Sequence, residues 1–194
     1  MNQPNVYAFA RMAAQGDIKA VYSGVQALRR GEWIICRSNF GLELAEVLSD
    51  TQSHDDLYCD SDSPTDSIAH WVRSASSQDH WLWNKLQSVN QQAIAACQDF
   101  LNQHQCQDTI LQIATSIDGK SVAFEFLGQA TEETNRELDR LSEIYQSFVR
   151  SSDVYQQIEV GCGPGCGTTA SCGSSADGKK GCSSCSIASR CKKH

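Results

Sequence analysis

The first 48 residues alternate short apolar runs with turn signals. The turn signals are Gln15-Gly16-Asp17 and Asn39-Phe40-Gly41. Short runs with aromatic and β-branched residues, bounded by Gly, Asn and Asp, are typical of strands. We therefore predict four short strands in a small antiparallel sheet or partial barrel. The runs cover residues 6–13, 18–23, 32–38 and 42–48.

An acidic segment follows these strands. Six aspartates and Pro64 lie between residues 50 and 66, among few apolar residues, so this stretch does not favour a buried element. We predict that residues 53–66 are an acidic linker between a small β lobe at 1–52 and an α+β lobe at 67–160.

The next segment predicts a long amphipathic helix. Ser76 is a suitable N-cap with Asp79 three positions later, and apolar residues then recur at steps of three and four until the helix ends near His104. The predicted buried stripe consists of Leu82, Leu86, Val89, Ala93, Cys97 and Phe100.

A hairpin and a second helix are predicted after it. Alternating apolar residues flank Asp118-Gly119, a dipeptide that supplies the positive φ angles of a two-residue turn. Thr134 and Glu137 match a capping box, and residues 153–160 resemble a last strand. The fold class is therefore α+β. The apolar stripe of the second helix is Leu138, Leu141, Ile144, Tyr145 and Phe148.

Charge is unevenly distributed along the chain. The net charge is −7, but residues 1–160 carry 11 basic against 22 acidic side chains, whereas residues 161–194 carry five against one. An acidic body repels a phosphate backbone. Binding to nucleic acid is therefore expected through the basic tail only, if at all.

No export signal or membrane span is recognisable. The N-terminus lacks a charged start followed by an apolar run, and no segment reaches about 18 uninterrupted apolar residues. We expect a cytoplasmic protein. Clustered thiols in that reducing compartment are more often metal ligands or redox groups than structural disulfides.

The C-terminal tail, residues 161–194, contains six of the ten cysteines. Four thiolates suffice for a zinc site or an iron-sulfur cluster, and a glycine-rich backbone wraps closely around either. A flexible tail with weak metal affinity and a thiol redox site remain alternatives, since the spacings match no standard finger. The candidate metal ligands are Cys162, Cys166, Cys172, Cys182, Cys185 and Cys191.

The body carries no recognisable catalytic motif, so we predict that the protein is not an enzyme. No Gly-x-Ser-x-Gly or His-Glu-x-x-His string is present. Glu43 and Glu46 would point to opposite faces of a strand, which favours a structural role over an acid–base pair. Cys36 and Cys97 are expected to be buried apolar side chains.

Four strings resemble the polymerase-suppressor C-terminal domain family, in its bacterial YaaT/RicT branch. They are "RSNFGLELAEVL" at 37–48, "WVRSASSQD" at 71–79, "SIDGKSVAFEF" at 116–126 and "QIEVGCGPGCG" at 157–167. The order and spacing of these strings carry the resemblance, which covers roughly residues 5–167.

This resemblance implies a non-enzymatic adaptor. It implies protein partners, cysteine-ligated iron-sulfur clusters within a complex, and an influence on RNA processing through ribonuclease Y. The residues themselves leave two other functions open, namely a nucleic-acid-binding module that uses the basic tail and a thiol redox protein.

Overall fold

The computed structural model describes residues 6–53, 68–152 and 154 and has the predicted α+β architecture, with a strand-rich N-terminal part followed by helices. The strands are β1 (Val6–Met12), β2 (Ile18–Gly24), β3 (Trp33–Ser38), β4 (Gly41–Val47), β5 (Gln52–Ser53), β6 (Ile68–Ser74), β7 (Ile110–Thr115) and β8 (Val122–Phe126); the helices are α1 (Ser77–Gln103) and α2 (Glu132–Ser151).

The N-terminal strands close into a barrel. Around the ring, β1 pairs with β2, β2 with β6, β6 with β3, β3 with β4, and β4 with β1, while β5 extends β1. All four predicted strands are present, as β1 to β4. The sheet differs from the predicted antiparallel one because β6 was not foreseen, and it runs parallel to β2.

The barrel interior is filled by the inward-facing residues of its strands. Alternate positions along a strand point to opposite faces, and here one set packs into a small apolar core. Many of its members are alanines, which suits the narrow interior of a five-strand ring. This barrel core contains Ala8, Ala10, Met12, Val21, Leu28, Ile34, Cys36, Ala45, Val47 and Ala69, with Trp71 packed against it.

A second core joins the outer face of the barrel to the helices and the hairpin. Ile35 on β3 and Leu42 and Leu44 on β4 point away from the barrel interior and pack with the apolar stripes of α1 and α2. The predicted stripes are confirmed, with Phe100, Leu138, Ile144 and Phe148 partly buried at the edges of this core. Its buried helical members are Leu82, Leu86, Val89, Ala93, Cys97, Leu101, Leu141, Tyr145 and Val149.

The β7–β8 hairpin forms where predicted, but the predicted two-residue turn is wrong: β7 ends at Thr115 and β8 begins at Val122, and of the dipeptide Asp118-Gly119 only Gly119 lies in the left-handed region, at φ 68°. The hairpin also approaches the barrel closely. A Cβ added to Gly41, whose φ is 124°, would lie 3.2 Å from Cβ of Ser116. Glycine therefore suits this contact for both its backbone conformation and its lack of a side chain.

The two helix starts show one correct and one wrong prediction. Ser76 is the N-cap of α1 and forms a capping box with Asp79. The predicted capping box of Thr134 and Glu137 is wrong, because α2 begins three residues earlier with Thr131 as its N-cap. Thr131 is held there by Asp108, whose carboxylate accepts hydrogen bonds from the Thr131 amide and hydroxyl at 3.0 and 2.6 Å.

Two sequence predictions fall largely outside the described residues. The linker at 53–66 is described only at Ser53, and the strand expected at 153–160 only at Val154, which has helical backbone and is fully buried in the second core. Within the described ranges, neither helix has the length and apolar character needed to cross a membrane.

Candidate functional site

The predicted metal ligands lie outside the described residues. These ligands are Cys162, Cys166, Cys172, Cys182, Cys185 and Cys191. Their arrangement therefore stays a prediction from the sequence. Among residues 6–53, 68–152 and 154, no three Cys, His, Asp or Glu side chains are arranged to hold a metal ion.

The described thiols of the body are buried. Cys36, Cys97 and Cys106 are free cysteines, and the prediction that Cys36 and Cys97 are buried is confirmed. Burial, with a smaller contribution from the charge of Glu43, raises the pKa of Cys36 to about 12. Burial likewise raises the pKa of Cys97 to about 11. Thiols with these pKa values stay protonated at neutral pH and are poor nucleophiles and metal ligands.

The most unusual polar group in the body is Glu43. It lies on β4 facing the barrel interior, and its side chain is 0% exposed. The Ser38 hydroxyl donates a hydrogen bond to Oε1, and Ser38 Oγ in turn accepts one from the Phe40 amide at 3.0 Å. The β3–β4 turn therefore supplies a short chain of hydrogen bonds to the buried carboxylate.

Lys19 brings a positive charge to the same end of the barrel. Its ammonium nitrogen lies 3.8 Å from Oε1 of Glu43 and 3.4 Å from Oδ2 of Asp17. Asn39 Oδ1 accepts a hydrogen bond from it at 3.5 Å. The Lys19 side chain is only 10% exposed, so its alkyl chain is buried while its head group bridges two carboxylates.

Burial controls the proton affinity of Glu43. Desolvation raises its pKa above the ordinary value, and this outweighs the opposing effects of the Ser38 hydrogen bond and the Lys19 charge. The side chain therefore holds a proton more readily than a surface glutamate does. The predicted opposite orientation of Glu43 and Glu46 is confirmed, since Glu46 forms an ion pair with exposed Arg11 at 3.0 Å.

A second polar cluster joins β6 to α1. The Arg73 guanidinium donates to both carboxylate oxygens of Asp79, at 2.6 and 2.8 Å, and the Ser76 amide and hydroxyl each donate to Oδ2 at 2.7 Å. Burial raises the pKa of Asp79, but these hydrogen bonds outweigh burial and hold the pKa below its ordinary value. The cluster fixes where the helix leaves the barrel.

Aromatic side chains lie at several places on the surface of the described residues. Tyr22 stands between Tyr7 and His70 on the outside of the barrel, with ring centroids 5.3 and 5.7 Å apart. At the junction of barrel and helix, the Trp33 ring contacts His80 at 5.2 Å. Trp33 and Trp81, the residue after His80 in the sequence, are 37% and 41% exposed. Sequence reasoning did not identify Trp33 as a surface residue, because it begins a strand whose next three residues are buried.

Comparison with protein-family models, with curated proteins and with solved structures finds no match for this chain. The class of this protein is therefore defined by its own structure: it is an α+β protein with a closed barrel and a helix–hairpin–helix lobe.

Proposed function

We propose that this protein is a non-enzymatic cytoplasmic adaptor that binds protein partners in an RNA-processing assembly and carries a cysteine-ligated iron-sulfur cluster or zinc ion in its tail. The observation that carries the proposal is the placement of the cysteines. Six lie between Cys162 and Cys191, next to a folded body whose described thiols are buried.

The composition of the tail supports metal binding. Cys182 and Cys185 have the two-residue gap that lets neighbouring thiolates bind one ion. Lys179 and Lys180 precede this pair, and nearby positive charge lowers thiol pKa values and offsets the negative charge of a thiolate–metal centre. Six cysteines also exceed the four that one site needs, which leaves ligands that a partner protein can share.

The surface of the body supports protein binding. Trp33 and Trp81 lie exposed where the barrel meets α1, and tryptophan is enriched among the residues that dominate binding energy in protein interfaces. The assignment to RNA processing rests on the resemblance to the YaaT/RicT branch through the strings at 37–48, 71–79, 116–126 and 157–167.

Metal content tests the proposal directly. The full chain is purified anaerobically, and iron, acid-labile sulfide and zinc are measured per chain together with the visible spectrum. We expect stoichiometric metal in the wild type and its loss in Cys182→Ser/Cys185→Ser. The matched control is Cys106→Ala, which removes a buried thiol of the body and retains the metal.

Four results would count against the proposal. Metal-free wild-type protein, or metal retained in the double variant, would contradict the assigned ligands. Reversible disulfide formation between Cys182 and Cys185 in metal-free protein would favour the redox alternative. Salt-sensitive binding of RNA by the tail alone would favour a nucleic-acid-binding module.

A further inference from the structure

Two buried polar atoms inside the barrel lack a hydrogen-bond partner among the described residues. They are Oε2 of Glu43 and Nε1 of Trp71. One is an acceptor when ionised and the other is always a donor. Buried groups of this kind nearly always have a partner in folded proteins, because leaving them without one forfeits their hydration.

The two residues belong to one row across three strands. Cys36 on β3 is paired with Glu43 on β4 and with Trp71 on β6. Residues paired in register across adjacent strands point to the same face of the sheet. Here that face is the barrel interior, because Cys36 is fully buried in the barrel core and Trp71 packs against that core.

The pairing places one residue, Cys36, between the two side chains in this row. Adjacent strands lie about 4.8 Å apart, so the backbones of Glu43 and Trp71 are separated by about 10 Å with Cys36 in the middle. The Cys36 thiol is already engaged, with Sγ 3.7 Å from both the Met12 sulfur and the Glu43 carbonyl oxygen. The thiol is therefore not the hydrogen-bond partner of Glu43 Oε2 or of Trp71 Nε1.

We propose that one ordered water molecule lies inside the barrel between these two side chains. It accepts a hydrogen bond from Trp71 Nε1 and donates one to Glu43 Oε2. Water is the simplest ligand that offers both an acceptor and a donor, and a buried water with two or more polar partners is a regular component of protein interiors. The bridge completes the polar network that begins at Lys19 and Ser38.

Nuclear magnetic resonance of the full chain with labelled tryptophan tests this proposal. The Trp71 indole N–H signal is assigned by its disappearance in Trp71→Phe, with Trp83→Phe as the matched control on the second core. We expect a cross-peak from the Trp71 indole proton to a slowly exchanging water. Replacing Glu43 by Gln should shift the Trp71 signal and leave the Trp83 signal unchanged.

A crystal structure of the wild-type chain at high resolution provides a second readout that needs no variant. Density for one water about 2.8 to 3.1 Å from both atoms would support the proposal. A direct hydrogen bond from Trp71 to Glu43, or a dry interior with no water cross-peak, would overturn it. Because the crystal structure needs no variant, failure of Trp71→Phe to fold does not remove the test.

Discussion

Arg73 and Asp79 form a bidentate ion pair, with nitrogen–oxygen distances of 2.6 and 2.8 Å, at the point where β6 becomes α1. Both residues are among those that carry the resemblance at 71–79. In the fold, the Asp79 carboxylate serves the guanidinium of the strand and the N-cap of the helix together.

Asp79→Asn should destabilise the fold by about 2 kcal/mol, because it removes a charge-assisted pair and weakens a capping box. Urea unfolding followed by circular dichroism measures the loss. Asp99→Asn is the matched control, since Asp99 lies exposed on the same helix. Equal stability of the two variants would show that the Arg73 pair contributes nothing measurable.

The same pair predicts a specific acid sensitivity. The pKa of Asp79 in the folded state lies below its ordinary value of about 3.9, so the stabilisation is present above that value and is lost as pH falls through the folded-state pKa. The stability difference between wild type and Asp79→Asn should therefore shrink between pH 5 and pH 2. A difference that stays constant over this range would contradict the assignment.

Glu43 predicts the opposite trend. Its folded-state pKa is raised, so its contribution to stability is greatest below its ordinary value of about 4.3 and is lost as pH rises through the folded-state pKa. Glu43→Gln removes this titration. Between pH 4 and pH 8 the wild type should lose stability relative to Glu43→Gln, as measured by urea midpoints.

Glu46→Gln is the matched control for Glu43, because it makes the same chemical change on the outward face of the same strand. Between pH 4 and pH 8, the stability of Glu46→Gln should change with pH as that of the wild type does. The two proteins should differ by no more than the contribution of a surface ion pair, at most about 1 kcal/mol. A similar trend in both variants would mean that burial of Glu43 is not its cause.

A buried network in the second core predicts a further stability effect. The Tyr145 hydroxyl donates to Asn90 Oδ1 at 2.8 Å, and Asn90 Nδ2 donates to the Ile113 carbonyl at 2.9 Å. Tyr145→Phe should cost about 1 to 2 kcal/mol, because it leaves the buried Asn90 oxygen without that donor. Asn90→Ala should cost more, since it removes the partner of both neighbours.

The double variant decides whether these residues act as one unit. Tyr145→Phe should lower the free energy of unfolding clearly less in the Asn90→Ala background than in the wild type. In that background the Tyr145 hydroxyl has already lost Asn90 Oδ1 as its acceptor. Additive effects in urea unfolding would argue that the two residues stabilise the core independently.

Local signals in the sequence were sufficient for the elements whose stabilising contacts are close in the chain. Ser76 with Asp79 and the hairpin around Asp118-Gly119 are of this kind: the capping box and the position of the hairpin are confirmed, although the turn is longer than the predicted two residues. The start of α2 was missed because Thr131 and Thr134 are both suitable N-cap residues in sequence, and the one that caps the helix is also held by Asp108, 23 residues away. Long-range partners of this kind leave no periodic pattern that a sequence reveals.

The candidate polar site was missed for the same reason. Glu43 looks like an ordinary strand residue in sequence, and its burial becomes understandable only when the fold brings Lys19 and Ser38 to it. Strand β6 was also missed, because its partners are β2 and β3 rather than its neighbours in sequence. The cysteine cluster remains a prediction from sequence, since it lies outside the described residues.

Closure of the barrel by β6 has a practical consequence for dividing the protein into fragments. The predicted linker at 53–66 looks like a natural place to cut, yet a cut there assigns one of the five barrel strands to the helical fragment. The N-terminal fragment would expose the edges of β2 and β3, which are sites for pairing with other chains. We expect that fragment to aggregate, so biochemical work on the barrel should retain the chain at least through β6 and α1.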